Sequence, residues 1–265
     1  MNGRFSRITA AQPAESGVLH SLDPRLTLLA TLLYIVVVSS LPHGAWAMYG
    51  LAAALILGTI VFSGLSAPRL LLRALVVLPI AALAAVSVIF SREGSELFSL
   101  RILGHRLAAT REGAVFALSL TVKAYLSVLM SSTLIASSGF NRVIDAMRAL
   151  HVPDLLTQTI AFAYRYLHVL VNEAGRMLTA RESRSAGSGG TLWWRARVLG
   201  SMIGTLFIRS LSRSERVYFA MQARGFCGEI VSLSEIRWAR RDTAAALLWF
   251  LLLAAVSVCS RLIYG

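Results

Sequence analysis

Apolar residues are gathered into five long runs, and each run approaches the length of a membrane-spanning helix. The runs cover residues 26–41, 45–62, 70–90, 113–136 and 243–263. An α-helix needs about 20 mostly apolar residues to cross the hydrocarbon core of a bilayer. The pattern therefore predicts an all-α, polytopic membrane bundle with about five transmembrane helices.

Local signals refine these helices. Pro24 follows Asp23 at the start of the first run, an arrangement typical of an N-cap and a first helical residue. Pro79 in the middle of the third run predicts a kink, which neighbouring helices tolerate in lipid. The polar break between the third and fourth runs contains residues 97–103, which predict either a short hairpin or an interfacial turn.

The character of the chain changes between residues 139 and 242. Apolar positions there recur at helical spacing and predict a short amphipathic helix over 140–150 and two long helices over 154–184 and 192–222. A Gly/Ser-rich hinge, 185–190, separates the long helices. Arg165 lies within the apolar first half of the helix over 154–184, and an arginine in mid-membrane costs roughly 2.5–3.5 kcal/mol. We therefore expect this helix to lie against the cytoplasmic end of the bundle without crossing the membrane.

Composition and charge agree with a membrane protein. Hydrophobic residues make up 56% of the 265 residues, charged residues 15%, and the mean hydropathy is +0.67. The net charge is +13, and 15 of the 26 basic residues fall in 139–242 against eight acids, which indicates a cytoplasmic region and not a nucleic-acid-binding protein. Residues 1–138 are expected to form an amino-terminal arm and four transmembrane helices, 139–242 the cytoplasmic helices, and 243–265 the last transmembrane helix of a multi-pass cell (inner) membrane protein.

Catalytic motifs are not found. The sequence has no Gly-x-x-x-x-Gly-Lys-Ser/Thr loop for nucleotide phosphates, no His-Glu-x-x-His and no Gly-x-Ser-x-Gly. Its five histidines are scattered singly, so neither a metal site nor a cofactor is expected, and the protein is predicted not to be an enzyme. Lys123 lies in the fourth apolar run, where an intramembrane lysine is either a functional group or a residue that pairs inside the protein.

Two similar tripeptides, Ser183-Arg184-Ser185 and Ala223-Arg224-Gly225, end the two long helices. A single arginine at this position complements the helix dipole. Two arginines, each between small residues, indicate guanidinium groups that enter grooves and bind carboxylates in bidentate fashion. If the helices cross or turn back at the hinge, their tips lie far apart, and the pattern then suits two copies of one partner.

The same residues carry a resemblance to a known family. Residues 153–185, which contain Tyr164-Arg165-Tyr166-Leu167 and end on the first tripeptide, resemble the T component of energy-coupling factor (ECF) transporters. Residues 215–226 resemble the second signature of that family, and the Tyr-Arg-Tyr-Leu stretch looks most like the cobalt branch, CbiQ. Ser185 stands where the family frequently has glycine.

The resemblance implies a non-catalytic coupling subunit of an ATP-driven importer. In that family two ATP-binding cassette ATPases hydrolyse ATP and dock on the arginine tips, and a separate membrane subunit captures the substrate. Carried onto this chain, the docking residues would be Ser183, Arg184, Ser185, Ala223, Arg224 and Gly225. The implied substrate is cobalt.

Other functions remain open from the residues alone. The chain could be a T component for nickel or for a vitamin. A self-sufficient secondary transporter would use Lys123 and Arg165 as an ion relay, but it would also need midplane polar residues on several helices and inverted symmetry, which are not evident. A polytopic membrane enzyme is disfavoured because the apolar runs contain neither paired carboxylates nor clustered histidines.

Overall fold

Helices dominate the computed structural model, which describes residues 22–91, 96–102, 105–184, 190–228 and 240–264. The predicted all-α class is confirmed, with one hairpin as the exception. In chain order the elements are α1 (Pro24–Ser40), α2 (Trp46–Phe62), α3 (Ala67–Ala74), α4 (Leu78–Ser91), β1 (Glu96–Ile102), β2 (His105–Thr110), α5 (Arg111–Ala149), α6 (Asp154–Arg184), α7 (Leu192–Ala223) and α8 (Arg240–Tyr264).

The described residues form two compact units. The bundle unit comprises the described residues of 22–146 together with 240–264, and the helix-pair unit comprises those of 147–228. Helix α5 begins in the bundle unit and ends in the helix-pair unit. The domain boundaries predicted from the sequence, at residues 139 and 242, remain a prediction.

Three described helical stretches are long and apolar enough to cross a membrane: Ala67–Val88, Arg111–Ala149 and Arg240–Ile263. Helices α1 and α2 are apolar but have only 17 residues each, slightly fewer than a bilayer needs. All five predicted runs are therefore helical. Helix α6 is not among these three stretches, and the prediction that it does not cross the membrane remains a prediction.

The predicted local signals are found in the bundle unit. The side chain of Asp23 accepts a hydrogen bond from the backbone N–H of Arg25 at 2.8 Å and so caps α1, with Pro24 as its first residue. The third apolar run is interrupted by a 3₁₀ turn at Leu75–Val77, which ends two residues before Pro79. Proline lacks a backbone N–H and its ring displaces the carbonyl four residues earlier, which explains the interruption.

Strands β1 and β2 form an antiparallel hairpin, one of the two alternatives left open by the sequence. Leu100 pairs with Leu107, and a bulge interrupts the register between Glu96 and Phe98. The hairpin connects α4 to α5.

Helix α5 changes direction at Gly139, whose φ of 74° and ψ of 156° are not helical. Glycine adopts such a conformation without the steric cost that a Cβ imposes. The kink separates the fourth apolar run from the predicted amphipathic helix that follows it. This short helix ends at His151, which has a φ of 60°, and the Val152 N–H donates to the carbonyl of Met147 at 3.1 Å.

The core of the bundle unit joins α1, α2, α3, α5 and α8. Tyr34 is fully buried, stacks on Trp249 with ring centroids 6.4 Å apart, and donates its hydroxyl to the carbonyl of Ala52 at 3.0 Å. The indole of Trp249 donates to the carbonyl of Ala30 at 3.3 Å. Because lipid offers no hydrogen-bond partners, aromatic side chains that satisfy their polar atoms on neighbouring helices stabilise such a bundle.

Candidate functional site

The second arginine tip closes α7 through a rigid turn. The N–H of Phe226 donates to the carbonyl of Met221 at 3.1 Å, and the N–H of Gly225 donates to the carbonyl of Gln222 at 2.9 Å. These two bonds form a Schellman motif, in which Arg224 is the C-cap and Gly225 adopts a φ of 79°. The exposed side chain of Arg224 is therefore presented from a fixed helix end.

We expect Gly225→Ala to weaken this turn. A Cβ at positive φ is strained by about 1–2 kcal/mol, although the space around Gly225 is open. Hydrogen exchange of residues 221–226 should therefore be faster in Gly225→Ala than in wild type. Gly200→Ala, at a helical position of α7 that is equally open, is the control and should exchange no faster than wild type. Unchanged exchange in Gly225→Ala would show that the positive φ does not fix the turn.

The first arginine tip lies at the end of α6. Arg184 is the last described residue of that helix and is exposed, while the hydroxyl of Ser183 donates to the carbonyl of Thr179 at 3.0 Å. Ser185 lies outside the described residues, as does most of the predicted hinge. Both arginines are thus free of ion pairs within the described part of the chain.

Helices α6 and α7 pack antiparallel to each other. Arg209 on α7 binds Glu173 on α6 with a distance of 2.7 Å from Nη1 to Oε1. Nearer the end of α6, the guanidinium of Arg181 lies 5.6 Å from the ring centroid of Trp194, which is close to the beginning of α7. Residue numbers thus rise on one helix as they fall on the other, so the two helix ends with arginine tips point in opposite directions.

The separation of the tips follows from this pairing. Arg184 lies 11 residues beyond Glu173, and Arg224 lies 15 residues beyond Arg209. At about 1.5 Å per residue, the tips lie on the order of 40 Å apart if the helix axes are close to antiparallel, and less if they cross. The two tips therefore lie at opposite ends of the helix-pair unit, and their role in docking remains a prediction.

Glu173 is the electrostatic centre of the helix pair. It binds Arg176 on its own helix through one carboxylate oxygen and Arg209 on α7 through the other. The hydrogen bond from Arg176, followed by that from Arg209, lowers the pKa of the Glu173 carboxyl below its ordinary value. Because the folded-state pKa is lowered, the stabilisation is present above the ordinary glutamate pKa and is lost as the pH falls through the folded-state value.

Glu173→Gln is expected to loosen the contact between α6 and α7. The substitution removes the charge that both arginines share, and backbone amides around residues 173 and 209 should exchange hydrogen faster at neutral pH. In wild type the same acceleration should appear only as the pH falls below the ordinary pKa of a glutamate, and the variant should not show this pH dependence. Glu215→Gln, at an exposed glutamate on α7 without an ion pair among the described residues, is the control. Equal exchange in both variants would contradict the assigned role.

The helix pair also encloses an apolar groove. This groove has a volume of about 550 Å³ and lies between the amino-terminal half of α6 and the carboxyl-terminal half of α7. Phe162, Tyr166, Leu211, Met221 and Phe226 are among the residues that line it. An exposed apolar groove of this kind is typical of a surface that receives another protein segment.

Lys123 is buried in the bundle unit and binds the end of α1. Its exposed fraction is 7%, and its Nζ donates to the carbonyls of Ser39 at 2.9 Å and Leu41 at 2.5 Å. These carbonyls belong to the last turn of α1 and to its C-cap, which lack partners within the helix. One helical turn away, Ser119 on the same face of α5 accepts a hydrogen bond from the N–H of Gly44 at 3.1 Å.

The two candidate ionic residues lie in different units. Arg165 is exposed on α6 in the helix-pair unit, whereas Lys123 belongs to the bundle unit. Within the described residues, no group of three or more His, Cys, Asp or Glu side chains is close enough to hold a metal ion.

The Glu173–Arg209 ion pair was not predicted from the sequence. The one indication in the sequence is that Glu173 and Arg176, three residues apart, lie on the same face of α6.

Comparison with known proteins identifies the family. Residues 15–233 match the CbiQ family, described as cobalt transport protein. An energy-coupling factor transporter transmembrane protein EcfT from Thermosediminibacter oceani is 26% identical over 258 residues, which cover 94% of this chain and 96% of that protein. An uncharacterized protein from Methanocaldococcus jannaschii is 27% identical over 251 residues, covering 93% and 84%. A nickel permease, LarQ, from Lactiplantibacillus plantarum is 31% identical over 119 residues, covering 43% and 42%.

The family match includes both long helices and both arginine tips. Together with the apolar helices of the bundle unit, it establishes a multi-pass transport protein of the cell membrane. The chain therefore belongs to the CbiQ family of cobalt transport proteins, the cobalt-type branch of the transmembrane T components of energy-coupling factor transporters.

Proposed function

We propose that this chain is the non-catalytic subunit that couples two ATP-binding cassette ATPases to a separate substrate-capture subunit in the membrane. The observation that carries the proposal is the antiparallel α6–α7 pair, whose two ends bear Arg184 and Arg224. Each arginine would enter a groove on one ATPase copy and bind a carboxylate there. ATP hydrolysis would then belong to the partners and not to this chain.

Motion of the ATPases would reach the capture subunit through the helix pair. A change in the distance between the two docked ATPases would pull or push both helix ends, and the Glu173–Arg209 pair would keep the helices together. The apolar groove between α6 and α7 offers a surface on which a helix of the capture subunit would pack. The Schellman turn at Gly225, closed by two backbone hydrogen bonds, would connect Arg224 to the end of α7.

Cobalt is the proposed substrate of the assembled importer. The support is the family description and the Tyr164-Arg165-Tyr166-Leu167 stretch. The relative LarQ is named a nickel permease, so nickel is the next candidate. In this proposal the capture subunit selects the ion, since the two candidate ionic side chains of this chain, Lys123 and Arg165, lie in different units.

The direct test is purification of the chain from its native membrane in mild detergent. We expect two ATPase copies and one small membrane protein to co-purify, and we expect the complex to hydrolyse ATP while the chain alone does not. Uptake of radioactive Co²⁺ into vesicles containing the complex should require ATP and should be reduced by excess unlabelled Co²⁺ more than by Ni²⁺. Ion-gradient-driven Co²⁺ uptake by the chain alone would favour the secondary transporter and overturn the proposal.

A further inference from the structure

A second groove, at the other end of the helix pair, is lined by both apolar and basic side chains. It has a volume of about 660 Å³ and lies between the carboxyl-terminal half of α6 and the amino-terminal half of α7. Met177 and Met202 are among the apolar residues that line it, together with four arginines: Arg176, Arg181, Arg184 and Arg209. A groove that presents apolar and cationic side chains side by side matches the chemistry of an anionic amphiphile.

Basic side chains outnumber acidic ones among the described residues that line this groove. Glu173 is the one acid among its described lining residues, and its two oxygens are already bound by Arg176 and Arg209. Arg181 contacts the ring of Trp194, but its Nε is buried and has no hydrogen-bond partner in the described part of the chain. Several guanidinium groups within one concave site repel each other, so an anion bound there gains electrostatic energy.

The neighbouring surface has the composition of a membrane–water interface. Leu192 and Trp193 are 83% and 81% exposed, and Arg195 lies two residues after Trp193 on α7. Tryptophan beside arginine is enriched where a protein meets lipid head groups, because the indole ring is amphipathic and the guanidinium attracts phosphate. Gly190 allows the Trp194 ring to approach the backbone, since a Cβ there would lie 2.7 Å from the ring.

We propose that this groove binds an anionic phospholipid of the phosphatidylglycerol type. Arg181, with Arg176 and Arg209 beside it, would hold the phosphate, and an acyl chain would lie against Met177 and Met202. Arg184 is left to the ATPase contact proposed above. Inorganic phosphate would contact the arginines but not the methionines, and a carboxylate alone would likewise leave the methionines uncovered. A lipid contacts both sets of side chains, and this favours it as the occupant.

The test titrates dioleoyl-phosphatidylglycerol into the full-length chain in detergent, with native mass spectrometry to count retained lipid and thermal unfolding as a second measurement. Phosphatidylglycerol should be retained and should raise the unfolding temperature, whereas dioleoyl-phosphatidylcholine should do neither and inorganic phosphate should raise the unfolding temperature less than phosphatidylglycerol does. Arg181→Gln should weaken the binding of phosphatidylglycerol about five-fold. Arg181→Lys keeps the positive charge and should retain most of the affinity for phosphatidylglycerol.

Arg197→Gln is the matched control, because it removes one exposed arginine from α7 outside the groove. It should change the affinity for phosphatidylglycerol less than two-fold. Equal losses in Arg197→Gln and Arg181→Gln would overturn the proposal, as would an equal thermal shift with inorganic phosphate. Loss of bound phosphatidylglycerol when the ATPase subunits assemble would assign the groove to a protein partner instead.

Met202→Ser tests the contact with the acyl chain. It should weaken the binding of phosphatidylglycerol without changing the thermal shift with inorganic phosphate. An unchanged affinity for phosphatidylglycerol would show that the acyl chain does not lie against Met202.

Discussion

Replacement of Arg184 and Arg224 together by alanine is expected to abolish ATP-driven uptake and to release the ATPases from the detergent-purified complex. Truncation of one partner of a buried, hydrogen-bonded charge pair costs roughly 2–5 kcal/mol. The two arginines lie at opposite ends of the helix pair, far beyond the distance at which substitutions interact directly, so their effects on ATPase binding should add. The measurement is the amount of ATPase that co-purifies with each variant, together with uptake in vesicles.

The single variants separate the two ends. Arg184→Ala and Arg224→Ala should each retain ATPase through the other tip, with reduced uptake because one ATPase no longer moves the helix pair. Arg165→Ala combined with Arg197→Ala is the matched control, since it also removes one exposed arginine from each helix but leaves both tips intact. This control should retain ATPases and uptake. Full uptake in the Arg184/Arg224 double variant would exclude the docking role, and loss of uptake only in the Arg165/Arg197 variant would favour an ion relay.

The elements of the fold were predictable where short-range chemistry determines them. Pro153 and Asp154 fix the beginning of α6, and its predicted range, 154–184, coincides with the helix in the structure. Gly139 and Pro79 mark the two interruptions because one permits a positive φ and the other removes a backbone donor. Arg165 leads to the prediction that α6 does not cross the membrane, because a charge in lipid is costly, and this remains a prediction.

Contacts between distant residues were beyond sequence reasoning. Glu173 and Arg209 are 36 residues apart, and nothing in either helix pattern specifies which turn of α7 meets which turn of α6. The contacts that show the antiparallel arrangement were therefore not predictable. From the sequence alone, the tips could be said to lie far apart only if the helices cross or turn back at the hinge. Lys123 presents the same difficulty: its position in an apolar run suggested either function or pairing, and its partners, Ser39 and Leu41, lie more than 80 residues away.

Lys123→Met is expected to destabilise the bundle while leaving transport by the folded complex intact. The ammonium group satisfies two carbonyls at the end of α1 that the helix itself leaves without partners. A buried acceptor that loses its partner costs about 1–3 kcal/mol, and methionine of similar length cannot donate. Because two carbonyls lose their donor and removal of a buried charge offsets part of the combined cost, we expect a net loss of about 1–3 kcal/mol. The unfolding temperature in detergent should fall by about 2–4 °C per kcal/mol.

The control for this variant lies on the same helix. Thr121→Val removes a hydroxyl that donates only to the carbonyl of Ala117 within α5, so it should change the unfolding temperature much less. Ser119→Ala should add to the effect of Lys123→Met, because Ser119 holds Gly44 in the turn that follows the same end of α1. The amount of uptake per folded complex distinguishes the two roles of Lys123. If Lys123 only caps the end of α1, the variant changes the amount of folded protein. If Lys123 is part of an ion relay, the variant changes the uptake per folded complex. Complete loss of uptake at an unchanged unfolding temperature would assign Lys123 to the transport step itself.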